Sequence, residues 1–153
     1  NSVTLMIMLY ALGKWHIVPG DGTCIGSYVL VDDVVRGHIL AALNGRPGQR
    51  YALGGENLTF KQFFETLADV TGERRWVIHL PVWLMTAAAR LMEWQAAVTG
   101  IAPLITAPWV KKYLNHWSLS SDKAIRELGY TFTPFRVGAK LTLEWLKKEG
   151  EIA

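Results

Sequence analysis

Ser27-Tyr28-Val29-Leu30-Val31-Asp32-Asp33-Val34-Val35-Arg36-Gly37-His38-Ile39-Leu40 is the stretch from which the rest of the chain can be read. Tyr28 to Val31 is a short, β-rich apolar block, the pattern of a buried strand. Asp32-Asp33 then offers a helix N-cap, because an Asp oxygen accepts the orphan N–H groups of a first turn. Val34, Val35, His38, Ile39, Ala42 and Leu43 recur at helical spacing and predict a face that packs back onto the strand. Asn44-Gly45 stops this helix, and Arg46-Pro47-Gly48 turns the chain. A second strand, Arg50 to Leu53, follows, then Gly54-Gly55 and a second capped helix. The alternation predicts parallel pairing in an α/β protein.

The second helix has the clearest local signal. Thr59 as N-cap and Gln62 at N3 form a capping box, with Leu58 and Phe63 as a hydrophobic staple. Phe60, Phe63, Phe64, Leu67 and Val70 make its inner face, and Gly72 is its stop. Upstream, residues 2–12 read as a helix that Ser2 caps and Gly13 ends. It is apolar nearly all round, so it is buried or bound to another surface. Trp15 to Val18 reads as a short strand and Pro19-Gly20-Asp21-Gly22 as a turn.

Downstream, Trp76 to Leu80 reads as a strand, and its His79 as a structural side chain rather than an acid–base catalyst. Pro81 opens a long apolar helix from Val82 to about Thr99, closed by Gly100. Arg90 and Glu93 interrupt it, so it falls short of the roughly 20 apolar residues of a membrane span. A Pro-broken loop over 101–109 leads to a short helix from Val110 to Leu114. Trp117 to Ser120 returns as an extended piece. Ser121 or Asp122 caps a helix that ends at Gly129. A last helix, Phe135 to Lys148, buries Val137, Leu141, Leu143, Trp145 and Leu146.

The 153 residues make one domain's worth of chain. Net charge is +3 with the basic residues scattered, which lacks the clustered Lys and Arg of a nucleic-acid footprint. Seven Trp in a chain with 19% charged residues predict heavy burial or an exposed apolar surface seeking a partner. The lone Cys24 cannot form an internal disulfide and fits a reducing, cytoplasmic setting. No signal peptide is evident, since 3–12 lacks a basic leader and a cleavage site. The chain starts with Asn inside an apolar run, which suggests a fragment or a processed product. No His, Cys, Asp and Glu cluster stands at metal-ligand spacing.

Two apparent motifs fail on their context. Tyr10 and Lys14 match the Tyr-x-x-x-Lys spacing of a dehydrogenase pair, which needs both side chains on one helical face so that the ammonium lowers the phenol's pKa. Gly13 breaks the helix between them. The glycines at 20, 22 and 26 resemble a dinucleotide loop, but such a loop must open a helix and this one leads into a strand.

Taken together, Gly20-Asp21-Gly22, Tyr28 to Val34 and Tyr51-Ala52-Leu53-Gly54-Gly55-Glu56-Asn57-Leu58-Thr59 resemble the C-terminal half of an extended short-chain dehydrogenase/reductase, of the NAD-dependent epimerase/dehydratase superfamily. Leu80-Pro81-Val82-Trp83, Pro103-Leu104-Ile105-Thr106, Ser121-Asp122-Lys123-Ala124 and Glu127-Leu128-Gly129-Tyr130 narrow the likeness to the branch of dihydroflavonol reductases and 3β-hydroxysteroid (sterol) dehydrogenases. Nucleotide-sugar epimerases of the superfamily carry an Arg after the glycine turn. Here Ile25-Gly26-Ser27 stands in its place, and Gly cannot replace a bidentate guanidinium.

The resemblance implies the substrate-side lobe of an extended Rossmann-type reductase, an α/β fold of short parallel strands with about six helices. In that family the 76–80 strand pairs with Tyr28–Val31, and Arg50–Leu53 ends the cofactor sheet. The parent would use NAD or NADP on an apolar hydroxy or keto substrate, lined here by Tyr28, Trp83, Met85 and Trp94. The Gly-rich cofactor loop and the catalytic Ser/Thr, Tyr and Lys have no counterpart in 1–153. The expectation is therefore no catalytic, cofactor-binding or metal-binding residue in this chain, and no cofactor bound or activity shown by it alone. Asp33 is read as a cap, not a catalyst. Nucleic-acid and membrane partners are not expected, while an exposed apolar strand edge favours a homodimer or strand exchange. The alternatives are a non-catalytic α/β interaction module, a nucleotide-sugar epimerase/dehydratase fragment, and a peripheral membrane protein anchored by 82–109.

Overall fold

The computed structural model describes residues 2–15, 17–103, 105–112 and 115–152. In chain order they form α1 (Ser2–Ala11), β1 (Ile17–Pro19), β2 (Ile25–Tyr28), α2 (Val31–Asn44), β3 (Glu56–Thr59), α3 (Phe60–Thr71), β4 (Ile78–Leu80), α4 (Val82–Thr99), α5 (Ala107–Lys112), α6 (Asp122–Leu128) and α7 (Phe135–Lys148). The α/β class and the short parallel strands hold, with seven helices among the described residues. The Ser2 side chain, Leu104 and the expected helix end at Leu114 lie outside the described residues.

The strands assort differently from expectation. β1 pairs in parallel with β4, Ile17 opposite Ile78 and Pro19 opposite Leu80. β2 pairs antiparallel with β3, Ile25 opposite Thr59 and Tyr28 opposite Glu56. The expected strand Tyr28–Val31 therefore sits three residues earlier, because the ladder ends at Tyr28 and α2 already starts at Val31. The 76–80 strand meets β1, not that segment. Arg50–Leu53 makes no ladder, since no neighbouring strand offers it an edge among the described residues. That segment is held through side chains instead. Tyr51 donates its hydroxyl to Glu127 (3.0 Å) and lies under the Lys123 ammonium, while Arg46 pairs with Glu127 and holds its carboxyl below the usual carboxylate range. Trp117 keeps one parallel bridge to Gly26.

Strands of three or four residues do not stabilise themselves, so helices carry the core. α1, α3, α4 and α7 bury Ile7, Tyr10, Phe63, Phe64, Leu67, Met85 and Leu146 in one cluster. A smaller one joins Ala124, Leu128 and Tyr130 to Leu40, Ala41 and Leu53. α3 matches its sequence signal: the Gln62 N–H donates to Thr59 Oγ1 (3.2 Å), the Thr59 N–H donates to Gln62 Oε1 (2.9 Å), and Gly72 takes a left-handed φ of 73°. α7 buries Phe135, Leu143 and Leu146, but Val137, Leu141 and Trp145 face out.

α2 shows the opposite face from the one expected. It buries Asp33 and Gly37 and turns Val31, Val35, Ile39 and Leu43 to solvent. Those four repeat every fourth residue and form one stripe. Gly37 is required where it stands, since a Cβ there would press on Leu53 at 2.7 Å and Tyr130 at 3.0 Å.

Gly54-Gly55-Glu56 ties these parts together. The Gly54 carbonyl accepts the hydroxyls of Tyr130 (3.0 Å) and Ser121 (3.2 Å), and the Gly54 N–H donates back to Ser121 Oγ (2.8 Å). Ser121 thus stands at the N-cap of α6 with its hydroxyl spent on Gly54, not on the cap. The Gly55 N–H donates to Ser27 (3.3 Å), and Glu56 Oε2 accepts the Phe135 N–H at the start of α7 (2.7 Å). A Cβ on Gly55 would overlap the Tyr28 carbonyl oxygen and sit 2.7 Å from its carbon. Replacement Gly55→Ala should cost about 3 kcal/mol through backbone displacement, against about 1 kcal/mol for Thr59→Ala at the capping box. Urea unfolding of both variants checks the order; equal losses would contradict it.

Candidate functional site

The described residues leave a groove of about 340 Å³ between α1, the β2–α2 connection and the start of α7. Its lining includes Ile7, Ser27, Tyr28, Leu30, Thr133 and Phe135. Tyr28 is fixed there by aromatic packing, with its ring 4.9 Å from Phe63 and 5.2 Å from Phe135, which themselves stack at 4.9 Å. Such contacts add to area burial by about 1 kcal/mol each.

Beneath the groove lies the fully buried carboxylate of Asp33. It accepts the Thr133 N–H (2.7 Å) and hydroxyl (3.1 Å) and pairs with Arg36. The cap position of α2 belongs to Leu30, so Asp33 is not the helix cap the sequence suggested. Its acceptors are drawn instead by a segment 100 residues away. These bonds hold Thr133 on the groove wall. Sequence reasoning missed Ser27 and Thr133, and the Thr133-Pro134 step before the last helix was the one available signal.

The four substrate-side candidates are not gathered in one place. Tyr28 lines the groove. Met85 is buried in the main core. Trp83 and Trp94 stand exposed on α4. A second cavity, about 540 Å³, lies between α1, α3 and β4 and is lined by Tyr10, Lys61, Glu65, Arg74, Arg75 and His79. Of its charges, Arg75 pairs with Glu73 and donates to the Ala11 carbonyl (3.2 Å) at the end of α1.

The two motifs set aside in the sequence, and the nearby His79 and Cys24, hold structural positions. Tyr10 is buried with its hydroxyl donated to the Glu73 carbonyl (3.0 Å), and Lys14 lies beyond Gly13, whose φ is 68°. The turn at Gly20 and Gly22 leads into β2, not into a helix. His79 Nδ1 faces the Gly20 carbonyl at 3.1 Å, so that nitrogen carries the proton in a structural bond. Partial burial, then the charge of Asp21, pushes the Cys24 thiol up, away from nucleophilic thiolate. Asp21 itself is held low by the Thr23 N–H and hydroxyl. No metal-ligand cluster occurs among the described residues.

With this geometry in hand, known proteins place the chain. No family model matches it. A putative dihydroflavonol 4-reductase of Synechocystis is 28% identical over 126 residues, covering 80% of this chain and 37% of that protein. The short-chain dehydrogenase/reductase family 42E member 1 of Bos taurus is 31% identical over 151 residues, covering 90% and 38%. A 3β-hydroxysteroid-dehydrogenase/decarboxylase of Arabidopsis thaliana is 29% identical over 147 residues, covering 86% and 34%. The crystal structure of gox2253 superposes on the whole chain with a TM-score of 0.75 at 29% identity, using 46% of its own length. Over most of its length the chain is thus similar to members of the extended short-chain dehydrogenase/reductase superfamily. It spans little more than a third of the length of the curated relatives it matches. The Bordetella bronchiseptica enzyme WbmF, solved in complex with NAD+, shares the fold of this chain at a TM-score of 0.64 and 23% identity, over 97% of this chain and 36% of its own.

The phenol of Tyr130 gives the region a pH signature. Burial, then the nearby Asp33 charge, raises its pKa above the ordinary value near 10. The unfolded chain then ionises first, so stability present at neutral pH is lost as pH rises above about 10. Tyr130→Phe should remove that alkaline loss while costing about 1 kcal/mol at pH 8 through the bond to Gly54. Urea unfolding at pH 8 and pH 10.5 checks it; an alkaline slope unchanged in the variant would contradict it.

Proposed function

We propose that this chain is the substrate-side, C-terminal part of an NAD(P)-dependent oxidoreductase acting on an apolar hydroxy or keto substrate. The observation that carries the reading is one of extent. Relatives align along 80–90% of the chain, yet it spans only 37–38% of two of them. The solvent-facing stripe Val31, Val35, Ile39 and Leu43 and the unladdered Arg50–Leu53 support it, as surfaces on which the rest of such an enzyme would pack.

In this reading the dinucleotide loop and the Tyr and Lys that handle the proton belong to the other part of the enzyme. A nicotinamide bound there supplies or accepts the hydride. The residues of this chain do the positioning. The apolar wall of the groove, with Tyr28, Leu30 and Phe135, excludes water from the substrate. Ser27 and Thr133 set its polar points, the latter fixed by Asp33. Of the four residues named from the sequence, Tyr28 remains the substrate contact. Met85 supports from the core, and Trp83 and Trp94 lie outside the groove. The runner-up is a non-catalytic interaction module that uses the same exposed apolar faces.

The deciding measurement is intact mass and N-terminal sequencing of the protein from its source, followed by a hydride-transfer assay with NADH and NADPH. The expected outcome is a polypeptide at least twice this mass that oxidises reduced nicotinamide with an apolar ketone, while residues 1–153 alone do not. A native chain beginning at Asn1 with no longer form would sink the reductase reading and leave the interaction module. In the longer protein, Asp33→Ala should raise the KM by about tenfold or more through loss of the charged bonds to Thr133, with kcat changed less.

A further inference from the structure

The cavity of about 540 Å³ between α1, α3 and β4 shares no lining residue with the groove beside Tyr28. One wall is a stripe of α3, on which Lys61, Phe64, Glu65 and Ala68 recur at the three- and four-residue steps of a helical face. The other wall is the run from Arg75 to His79, lined by its alternate residues Arg75, Val77 and His79. From Lys61 to Asp69 the helix rises about 12 Å, so the space is a trough rather than a round hole. Tyr10 and Phe64 are buried against it, with ring centroids 5.7 Å apart. The volume falls within the range of small-molecule sites, about 300–1,000 Å³.

The two ends of the trough differ in charge. At one end Lys61 stands a helical turn from Glu65, and the two offset each other. At the other end the acids are committed: Asp69 pairs with Arg136 (3.2 Å), and Glu73 pairs with Arg75. Arg74 makes no ion pair among the described residues. Arg75 is fixed in place. It donates to the Ala11 carbonyl (3.2 Å) and lies against Gly13 where a Cβ would otherwise be. Its Nε–H is nevertheless buried with no acceptor among the described residues. A buried donor left unpaired is unfavourable, and an anionic oxygen in the trough removes that deficit.

We propose that the trough binds a small organic carboxylate. Its flat apolar body lies along Phe64, Ala68 and Val77, and its carboxylate accepts from Arg75 Nε and Arg74. The aromatic wall favours a planar body, and guanidinium donors held beforehand give short, directional bonds to a carboxylate. The uncommitted charge at that end is the single guanidinium of Arg74, which suits a monoanion better than a dianionic phosphate. The proposal stands independently of the reductase reading, since it uses neither the groove nor a nicotinamide.

The test is isothermal titration of the protein at its native length with 2-naphthoate, compared with the uncharged 2-naphthamide. Naphthoate should bind saturably at one site and naphthamide at least tenfold more weakly. Arg74→Gln and Arg75→Lys should each weaken naphthoate about tenfold, the loss of one charge-assisted bond. Arg75→Lys keeps a cation beside Glu73 while removing the Nε–H. Ala68→Leu places a larger side chain in the trough at a helical position that tolerates Leu, and it should abolish binding. Lys140→Gln, outside the trough, should leave binding unchanged. Far-UV circular dichroism separates lost binding from lost folding. No binding of naphthoate by the folded wild-type protein overturns the proposal. So does equal binding of naphthamide, binding that Ala68→Leu leaves intact, or binding that both arginine variants leave intact.

Discussion

The close passage of Gly55 beneath the Tyr28 carbonyl is the constraint on which the rest of the molecule depends. Neither backbone could approach the other with a Cβ between them. Because they do approach, Gly54 reaches Ser121 and Tyr130, and Glu56 reaches the first N–H of α7. One tripeptide thereby sets the positions of β2, α6 and α7, three parts that are far apart in sequence. The energetic logic is that of backbone satisfaction. Buried N–H and C=O groups outside a ladder must find partners, and here hydroxyls and a carboxylate supply them.

The aromatic cluster acts at the same junction. Tyr28 comes from β2, Phe63 from α3 and Phe135 from α7, and each ring touches the other two within 5.2 Å. Two-stranded sheets this short have little stability of their own. Packing of the rings onto α3 and α7 gives β2 a reason to persist, and the groove beside Tyr28 inherits its shape from that packing.

Local signals were legible in the sequence and long-range ones were not. The capping box at Thr59 and Gln62, the stops at Gly72, Gly100 and Gly129, and the bounds of α4 follow from chemistry within a few residues. The inner face of α2 did not follow. Periodicity says that Val31, Val35, Ile39 and Leu43 form a stripe, but not what covers it, and here Asp33 and Gly37 face inward instead. Asp33 looked like a cap because an Asp before an apolar helix usually is one. Its actual partner, Thr133, is 100 residues away and leaves no local trace. The antiparallel β2–β3 pair was hidden for a similar reason: alternation of strand and helix argues for parallel pairing only when the strands share one sheet. Of the site, Tyr28 was visible as an aromatic at the edge of an apolar block, whereas Ser27 and Thr133 owe their places to the chain's return at Gly55.

Tyr28 also limits how function can be read from this region. Its ring is both a wall of the groove and one-third of the aromatic junction, so its removal would change the cavity and loosen α3 against α7 together. Large aromatic deletions in a core cost about 3–5 kcal/mol, enough to mask any change in ligand contact. Thr133 separates the two roles better. It stands on the same wall, and its hydroxyl is held by Asp33 outside the aromatic cluster. The division is physical: the rings keep the groove in place through area buried, while the Asp33 bonds orient Thr133. Thr133 can therefore vary while the Gly55 crossing and the three rings stay as they are, whereas Ser27 takes part in that crossing by accepting the Gly55 N–H.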